Sequence, residues 1–431
     1  MLGAFVNAFR TPDLRRKLLF VLFIVALFRL GSVLPAPGVH VENVRECVRG
    51  VESQGVLGLL NLFSGGALLQ LAVFALGIMP YITASIILQL LTVVIPRLEA
   101  LKKEGQSGQA KITQYTRYLT MGLAVMQATS FVALARSRQL FQGQCDLPLL
   151  RDEKSVFVAA IVVITMVAGT GVIMWLGELI TERGIGNGMS MLIFTQVIAT
   201  FPSGLDQVRQ TNGWDVFFVV IVVGLAVIAG VIFIEQAQRR IPVQYARRMV
   251  GRKMFGGSST YIPLKVNQAG IIPVIFASSL LYLPALATQF NPEAGWSGFL
   301  QKYFVTMEHP LYMVTYALMI IFFTYFYVGI TFNPTEVADN MKKYGGFIPG
   351  IRAGKPTEEY LAYVLSRITF PGALYLAVIS LIPLIALVLI NANQNFPFGG
   401  TSILIMVGVG LETVKQIESQ LQQRNYEGFL R

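Results

Sequence analysis

Apolar residues along the chain gather into long runs with few charges, near residues 18–34, 68–94, 118–135, 156–176, 185–202, 216–234, 269–290, 311–330, 368–390 and 398–414. About 20 such residues carry an α-helix across a bilayer core, so the pattern predicts ten membrane-spanning helices. The fifth run begins among glycines and the tenth is short before Glu412, so their ends are the least defined. One stretch is too long for a single span. From Gly55 to Leu91 the chain reads GVLGLLNLFSGGALLQLAVFALGIMPYITASIILQLL, with Asn61, Ser64, Gly65 and Gly66 in its middle. Glycine entropy and polar side chains that favour caps weaken a helix there. The stretch is therefore predicted to divide at Gly65 and Gly66, leaving a two-turn helix over 56–63 that cannot cross and a span from Leu68 to about Val94. The short piece reads either as a re-entrant segment facing a water-accessible interior, since non-helical backbone at membrane depth needs protein or water around it, or as a plain hydrophobic loop before an ordinary span.

Lys and Arg fix the expected orientation. With the amino terminus inside, 25 of the 34 basic residues fall in inside segments and 8 in outside loops, with Arg29 inside the first span. That bias predicts both termini on the cytoplasmic side and makes the net charge of +11 mainly a topological feature rather than a nucleic-acid footprint. Composition agrees with a polytopic membrane protein: of 431 residues 54% are hydrophobic and only 13% charged, with a mean hydropathy of +0.61, far from the roughly 25% charged residues of soluble domains. No small-residue cleavage site follows the first run, which reads as a retained helix and not a signal peptide.

Ten spans divide at the polar stretch that begins at Pro202, Ser203 and Gly204 and runs to Asp215. The expected fold is all-α, with ten transmembrane helices in two inverted five-helix halves, residues 1–205 and 206–431. Five spans per half is an odd number, so the halves start on opposite sides of the membrane, as in an inverted repeat. The second span of each half is the interrupted one: the stretch above, and GIIPVIFASSLLYL at 270–283, with Pro273 and the pair Ser278 and Ser279. Interruptions at matching positions point to a transport path.

Little else carries chemistry. The two histidines, His40 and His309, and the two cysteines, Cys47 and Cys145, show no metal-ligand spacing. There is no phosphate-binding loop, nucleophile elbow or pair of carboxylates in an apolar setting. The expectation is a protein that is not an enzyme and holds no metal or cofactor. Both cysteines are expected outside, where a disulfide is permitted, and the sequence leaves their pairing open. Two further function classes fit the sequence less well. An ion-coupled secondary transporter buries ionisable groups near the midplane, whereas Arg29, Glu178, Glu182, Glu235 and Glu412 fall near span ends. An intramembrane enzyme needs a nucleophile and base, or a metal set, at mid-depth, and none is visible.

Five stretches in order resemble the SecY family, the channel subunits of the bacterial protein-conducting translocon and relatives of the eukaryotic and archaeal alpha subunit. They are LFSGGALLQLAVFALGIMPYITASIILQLL (62–91), ITERGIGNGMS (180–190), RRIPVQYARRMVG (239–251), NQAGIIPVIFASS (267–279) and NPTEVADNMKKYGGFIPGIRAGKPT (333–357). The resemblance covers the chain end to end. It implies a pseudo-twofold clamshell with an hourglass pore between its halves, which passes unfolded preproteins and releases membrane segments sideways into lipid. By resemblance a plug occupies about 55–65, with Leu57, Leu60, Asn61, Phe63, Ser64 and Gly65. The pore ring is implied at Ile78, Ile82, Met189, Ile193, Ile275 and Ile405, with Met189 placing a flexible thioether where the family has a branched side chain. Residues 78 and 82, and 189 and 193, are four apart and share a helix face. A ring of aliphatic groups offers no replacement for an ion's hydration shell.

The lateral gate is implied between the second and seventh spans, the two interrupted ones. Thr83, Ser85 and Gln89 on one and Ser278, Ser279 and Leu283 on the other lie along it, and the polar groups can bond across helices at about 0.6 to 2 kcal/mol each. The inside loops 235–268 and 331–367 exceed what short connections need. Their Arg239, Arg240, Arg247, Arg248, Arg252, Lys342, Lys343 and Arg352 fit either the positive-inside rule and lipid headgroups or, as the resemblance implies, docking of the motor ATPase SecA and the ribosome, whose RNA favours basic contacts. Arg352, between Gly350 and Pro356, stands on a stiff loop and is the leading candidate. The resemblance also implies SecE and SecG subunits, preprotein and signal-sequence substrates, surrounding membrane lipid and a place in the bacterial cytoplasmic membrane.

Overall fold

The structure, a computed structural model of the full chain, describes residues 9, 11–50, 66–68, 70–137, 147–152, 155–245, 248–250, 253–255, 259–290, 295–306, 309–390 and 400–429. The helices in chain order are α1 Pro12–Val33, α2 Val41–Gly50, α3 Met79–Val94, α4 Pro96–Lys103, α5 Gln106–Arg136, α6 Val156–Arg183 and α7 Gly188–Gln236. After the strands β1 Gln238–Tyr245, β2 Arg248–Val250, β3 Lys253–Phe255 and β4 Ser259–Lys265 come α8 Ile272–Phe290, α9 Gly295–Leu300 and a π-helical turn Gln301–Val305. The chain continues through α10 Pro310–Thr331, α11 Pro334–Lys343, β5 Gly346–Phe347, α12 Lys355–Ile390 and α13 Gly400–Phe429. Among the described residues six helical segments, against the ten spans expected for the whole chain, are long and apolar enough to cross a membrane, and the α3–α4 pair, bent by 100°, counts as a seventh if taken as one broken span. The bend falls at Pro96, whose ring disfavours helix at the residue before it.

Two expectations need correction. The second span is not helical from Leu68. Residues 70–78 form successive turns, and helix begins only at Met79. Leu71 (φ 46°) and Gly77 (φ 57°) adopt left-handed backbone, and Pro80 sits at the start of α3, where its missing N–H is harmless. Nor does helix stop after Phe201. It runs on to Gln210, held by Gln210 and Arg209 each bonding Asp206 one turn back. The break in α7 comes at Gly213 (φ 82°, ψ 178°).

Packing divides the chain into two compact units, one built from Met1–Ile221, Ala386–Phe398 and Ile405–Arg431, the other from Val222–Ile385 and Gly399–Leu404. These units follow contacts, whereas the halves 1–205 and 206–431 follow topology. In the first unit, α13 packs at the α6–α7 turn, where Leu14, Ile185 and Ile417 form a buried cluster and Lys17 Nζ donates to Gln420 Oε1 at 3.4 Å. Arg117 of α5 and Glu178 of α6 form a two-pronged ion pair, both contacts 2.8 Å. Cys47 on α2 is buried and disulfide-bonded. The sequence has one other cysteine, Cys145, which lies outside the described residues.

The second unit contains something charge-reading of its two loops did not show. β1 pairs antiparallel with β4 on one side and β5 on the other, so residues about 100 positions apart share one sheet. Alternation along β1 sends Ile241 and Val243 to one face and Arg240, Pro242 and Gln244 to the other. The first face, joined by Leu264, packs on Met341 of α11, Ile348, and Leu361 and Val364 of α12. The loops 235–268 and 331–367 are thus one module with its own core. The final third of the second loop is helix, since α12 begins at Lys355.

Candidate functional site

Among the described residues of 66–78 most are buried, with Gln70 exposed and Val73 partly so, all are non-helical, and the run is tied to the segment after α1. Leu71 O accepts from the Ala36 N–H at 3.0 Å, the Val73 N–H donates to Leu34 O at 2.8 Å, and Pro35 and Ala72 form an isolated β-bridge. Backbone groups of this run are thereby satisfied inside protein, the condition for non-helical chain at membrane depth. Its fit is close. An ideal Cβ at Gly31 would lie 2.2 Å from the Phe74 ring, and one at Gly169 would lie 2.1 Å from Val73 O, so neither position accepts a side chain without movement. Phe74 also stacks on Phe28 at 5.8 Å.

This clamp delivers Ile78 and Ile82. Ile78 caps α3, and its carbonyl accepts from the Ile82 N–H at 3.1 Å, so one turn sets the two side chains on a common face. Ile78 is fully buried and Ile82 partly so. Met189 and Ile193 are placed by the α6–α7 turn. Asn187 Oδ1 accepts from the Met189 and Ser190 N–H groups at 3.1 and 3.4 Å, an N-cap, while the Gly188 N–H donates to Thr181 Oγ1 at 2.9 Å. Gly188 lies against the Gly177 carbonyl, and the Met189 thioether covers Gly177 on the α6 side. Ile193 is buried, as are Ile275 on α8 and Ile405 on α13. The plug residues Leu57, Leu60, Asn61, Phe63, Ser64 and Gly65 lie outside the described residues.

The polar residues assigned to the gate engage their own helices. Thr83 Oγ1 donates to Met79 O at 2.9 Å and Ser278 Oγ to Ile275 O at 2.9 Å. A backbone carbonyl three or four residues back is in reach of each hydroxyl, so their donors are satisfied within their own helices while their oxygens keep acceptor capacity. Gln89 is exposed. Ser279 Oγ is buried with no hydrogen-bond partner among the described residues. Leu283 lies within α8.

On the module, Arg352 projects from a turn flanked by Gly350 (φ 84°) and Gly354 (φ 103°), left-handed positions that glycine adopts without strain. The Arg352 carbonyl accepts from Thr357 Oγ1 at 2.8 Å, and Thr357 is buried at the start of α12. The backbone is pinned while the side chain stays exposed. Lys342 and Lys343 sit exposed in the last turn of α11, where cations complement the helix dipole. Arg239 and Arg240 are exposed on β1, and the Arg240 guanidinium lies 4.9 Å over the Tyr261 ring of β4. Arg247 and Arg252 lie outside the described residues, and Arg248 opens β2. Tyr261 was missed from sequence, although the alternation of Ile241 with Val243 and Ile262 with Leu264 marks the hairpin that carries it.

The hairpin joins α8 through Asn267. Its Nδ2 donates to Glu235 Oε1 and to Gly270 O, and Val266 O lies where a Cβ on Gly372 of α12 would come within 2.4 Å. The NQAG motif is therefore a junction between module, α8 and α12.

The SecY family profile matches residues 72–414. The chain is 66% identical over 438 residues to the protein translocase subunit SecY of Streptomyces galbus and 58% identical over 443 residues to that of Mycobacterium tuberculosis, with 100% of both chains covered in each case. Its fold is similar to that of a solved protein-conducting channel, with a TM-score of 0.64 at 18% identity over 93% of this chain and 91% of the other. A profile spanning most of the chain, full-length relatives and a shared fold agree: the chain is a multi-pass membrane protein that belongs to the SecY family.

Proposed function

We propose that the chain is the central pore-forming subunit of a protein-conducting channel, passing unfolded preproteins across the bacterial cytoplasmic membrane and releasing apolar segments sideways into lipid. The observation that carries this reading is the largely buried, non-helical run 70–78 leading into α3, within a chain that matches translocase subunits over its full length. A secondary-transporter reading has no support in these relatives.

In this reading Ile78, Ile82, Met189, Ile193, Ile275 and Ile405 form the ring that seals the resting pore, residues 55–65 form the plug, and the gate runs along Thr83, Gln89, Ser278, Ser279 and Leu283. SecE and SecG complete the complex. SecA or the ribosome supplies the drive through the module, at Arg239, Arg240, Arg247, Arg248, Arg252, Lys342, Lys343 and above all Arg352. One solved neighbour of this fold is a channel in complex with a ribosome. Photoreactive side chains at Ile82, Ile275 and Ile405 should crosslink a stalled translocating chain, and those at Thr83 and Ser278 its signal sequence. Crosslinks to lipid alone at all five positions would overturn the pathway.

The module is assigned to the cytoplasm by the basic residues it carries. The disulfide at Cys47 supports the same orientation, because bonds of that kind persist on the oxidising side. A cysteine replacing Ala353, an exposed position beside Arg352, should react with a membrane-impermeant maleimide only from the cytoplasmic side. Labelling from outside would reverse the topology.

A further inference from the structure

Between α8 and α10 the chain makes a helical detour, α9 and the π-helical turn, that no part of the channel reading uses. The turn packs against both α8 and α10. α10 has 22 residues, a rise of about 33 Å, and the module adjoins its far end through α11 and β5. The detour therefore lies at the membrane face opposite the module.

Its side chains sort by face. Trp296 and Phe299 are exposed, three apart, and Tyr303 follows four later, its ring 4.7 Å from that of Phe299. Ser297 is buried on another side, and Gln301 and Lys302 are exposed on a third. Lys302 is the one charged residue in 295–306, and its ammonium lies 5.4 Å from the Tyr303 ring centre. Tyr303 also meets His309 edge-on at 4.8 Å, and His309 caps α10 through its Nδ1, which accepts from the Leu311 N–H. From that cap a stripe of exposed apolar residues, Leu311, Val314, Leu318 and Phe322, runs down α10. Spaced by three and four along a segment long and apolar enough to span, this stripe is a lipid-facing seam. The aromatic stripe of the detour begins where that seam ends.

We propose that Trp296, Phe299 and Tyr303 are an interfacial anchor, seated among phospholipid headgroups and the first acyl carbons at the membrane face opposite the module, with Lys302 reaching to lipid phosphates. Aromatic rings with a polar edge belong at that depth, and a short amphipathic segment with a single basic residue lies in the interface plane instead of crossing it. The anchor holds the ends of α8 and α10 at a fixed depth. The inference is independent of what the channel carries.

The chain has three tryptophans, Trp175, Trp214 and Trp296. The full chain carrying Trp175→Phe and Trp214→Phe, reconstituted with its co-purifying subunits in phosphatidylcholine and phosphatidylglycerol vesicles, reports Trp296 alone once the signal of a variant lacking all three is subtracted. Lipids brominated at acyl carbons 6 and 7 should quench Trp296 roughly twofold or more beyond lipids brominated at carbons 11 and 12, and aqueous iodide should quench it weakly. Adding Phe299→Glu should shift quenching toward iodide. Strong iodide quenching without bromine quenching in the parent variant would place the stripe in water. Protection from both quenchers would place it under another protein. Either result overturns the anchor.

Discussion

Arg352→Glu should yield a stable, correctly inserted channel that a motor ATPase cannot drive. Gly350 and Gly354 hold left-handed backbone around Arg352, and Thr357 fastens its carbonyl, so the loop conformation depends on groups other than the guanidinium. The side chain itself is exposed. It presents a planar, permanently charged donor fork suited to carboxylates or phosphates. Reversing its charge turns an attraction at a docked interface into a repulsion, a change of about 2–5 kcal/mol, or roughly 30-fold to several thousand-fold in partner affinity. Because the module core of Ile241, Val243, Leu264 and Leu361 lies elsewhere, the melting temperature should hold. Preprotein uptake into vesicles with SecA and ATP at the wild-type rate would reduce Arg352 to a topology charge.

Ile82→Asn should make the resting channel leak ions. Ile82 sits one turn into α3, bonded to the Ile78 carbonyl and partly buried, so in the proposed ring an amide there would meet the constriction without disturbing the clamp formed by Leu34, Ala36, Leu71 and Val73. An aliphatic constriction blocks ions by staying dry. A buried amide without a partner costs about 1–3 kcal/mol in protein, and wetting relieves that cost, so the conducting population should rise by roughly one to two orders of magnitude. The check is resting conductance in planar bilayers. Unchanged conductance would assign Ile82 to packing.

Both predictions start from features the sequence showed unevenly. Six of the ten expected spans, near 118–135, 156–176, 185–202, 216–234, 311–330 and 368–390, were legible because twenty-residue apolar runs have few alternatives, and so was the presence of an interruption before the helix of the second span. Its extent was not. ALLQLAVFALGIM reads as helix locally, yet its backbone bonds to Leu34 and Ala36, some 35 residues away, and long-range partners overrule local preference. The module was hidden for the same reason: Ile241 and Val243 alternate visibly with polar neighbours, but their cover comes from Met341 and Leu361, about 100 residues on. Spacing placed Met189 on the face of Ile193, whereas only packing shows its thioether over Gly177. The gate hydroxyls were read as able to bond across helices, and the sequence does not show that Thr83 and Ser278 each donate to a carbonyl of their own helix.

The central claim is that this chain is itself the path a polypeptide takes. It is tested most directly by uptake of a preprotein into vesicles whose channel subunit is this chain, reconstituted with SecE, SecG and SecA. With ATP, the preprotein should become protease-protected inside the vesicles, and an Ile275 photo-crosslink to it should appear and vanish as translocation starts and ends. Uptake at an undiminished rate in vesicles lacking this chain, or none in vesicles containing the folded complex, would contradict the account.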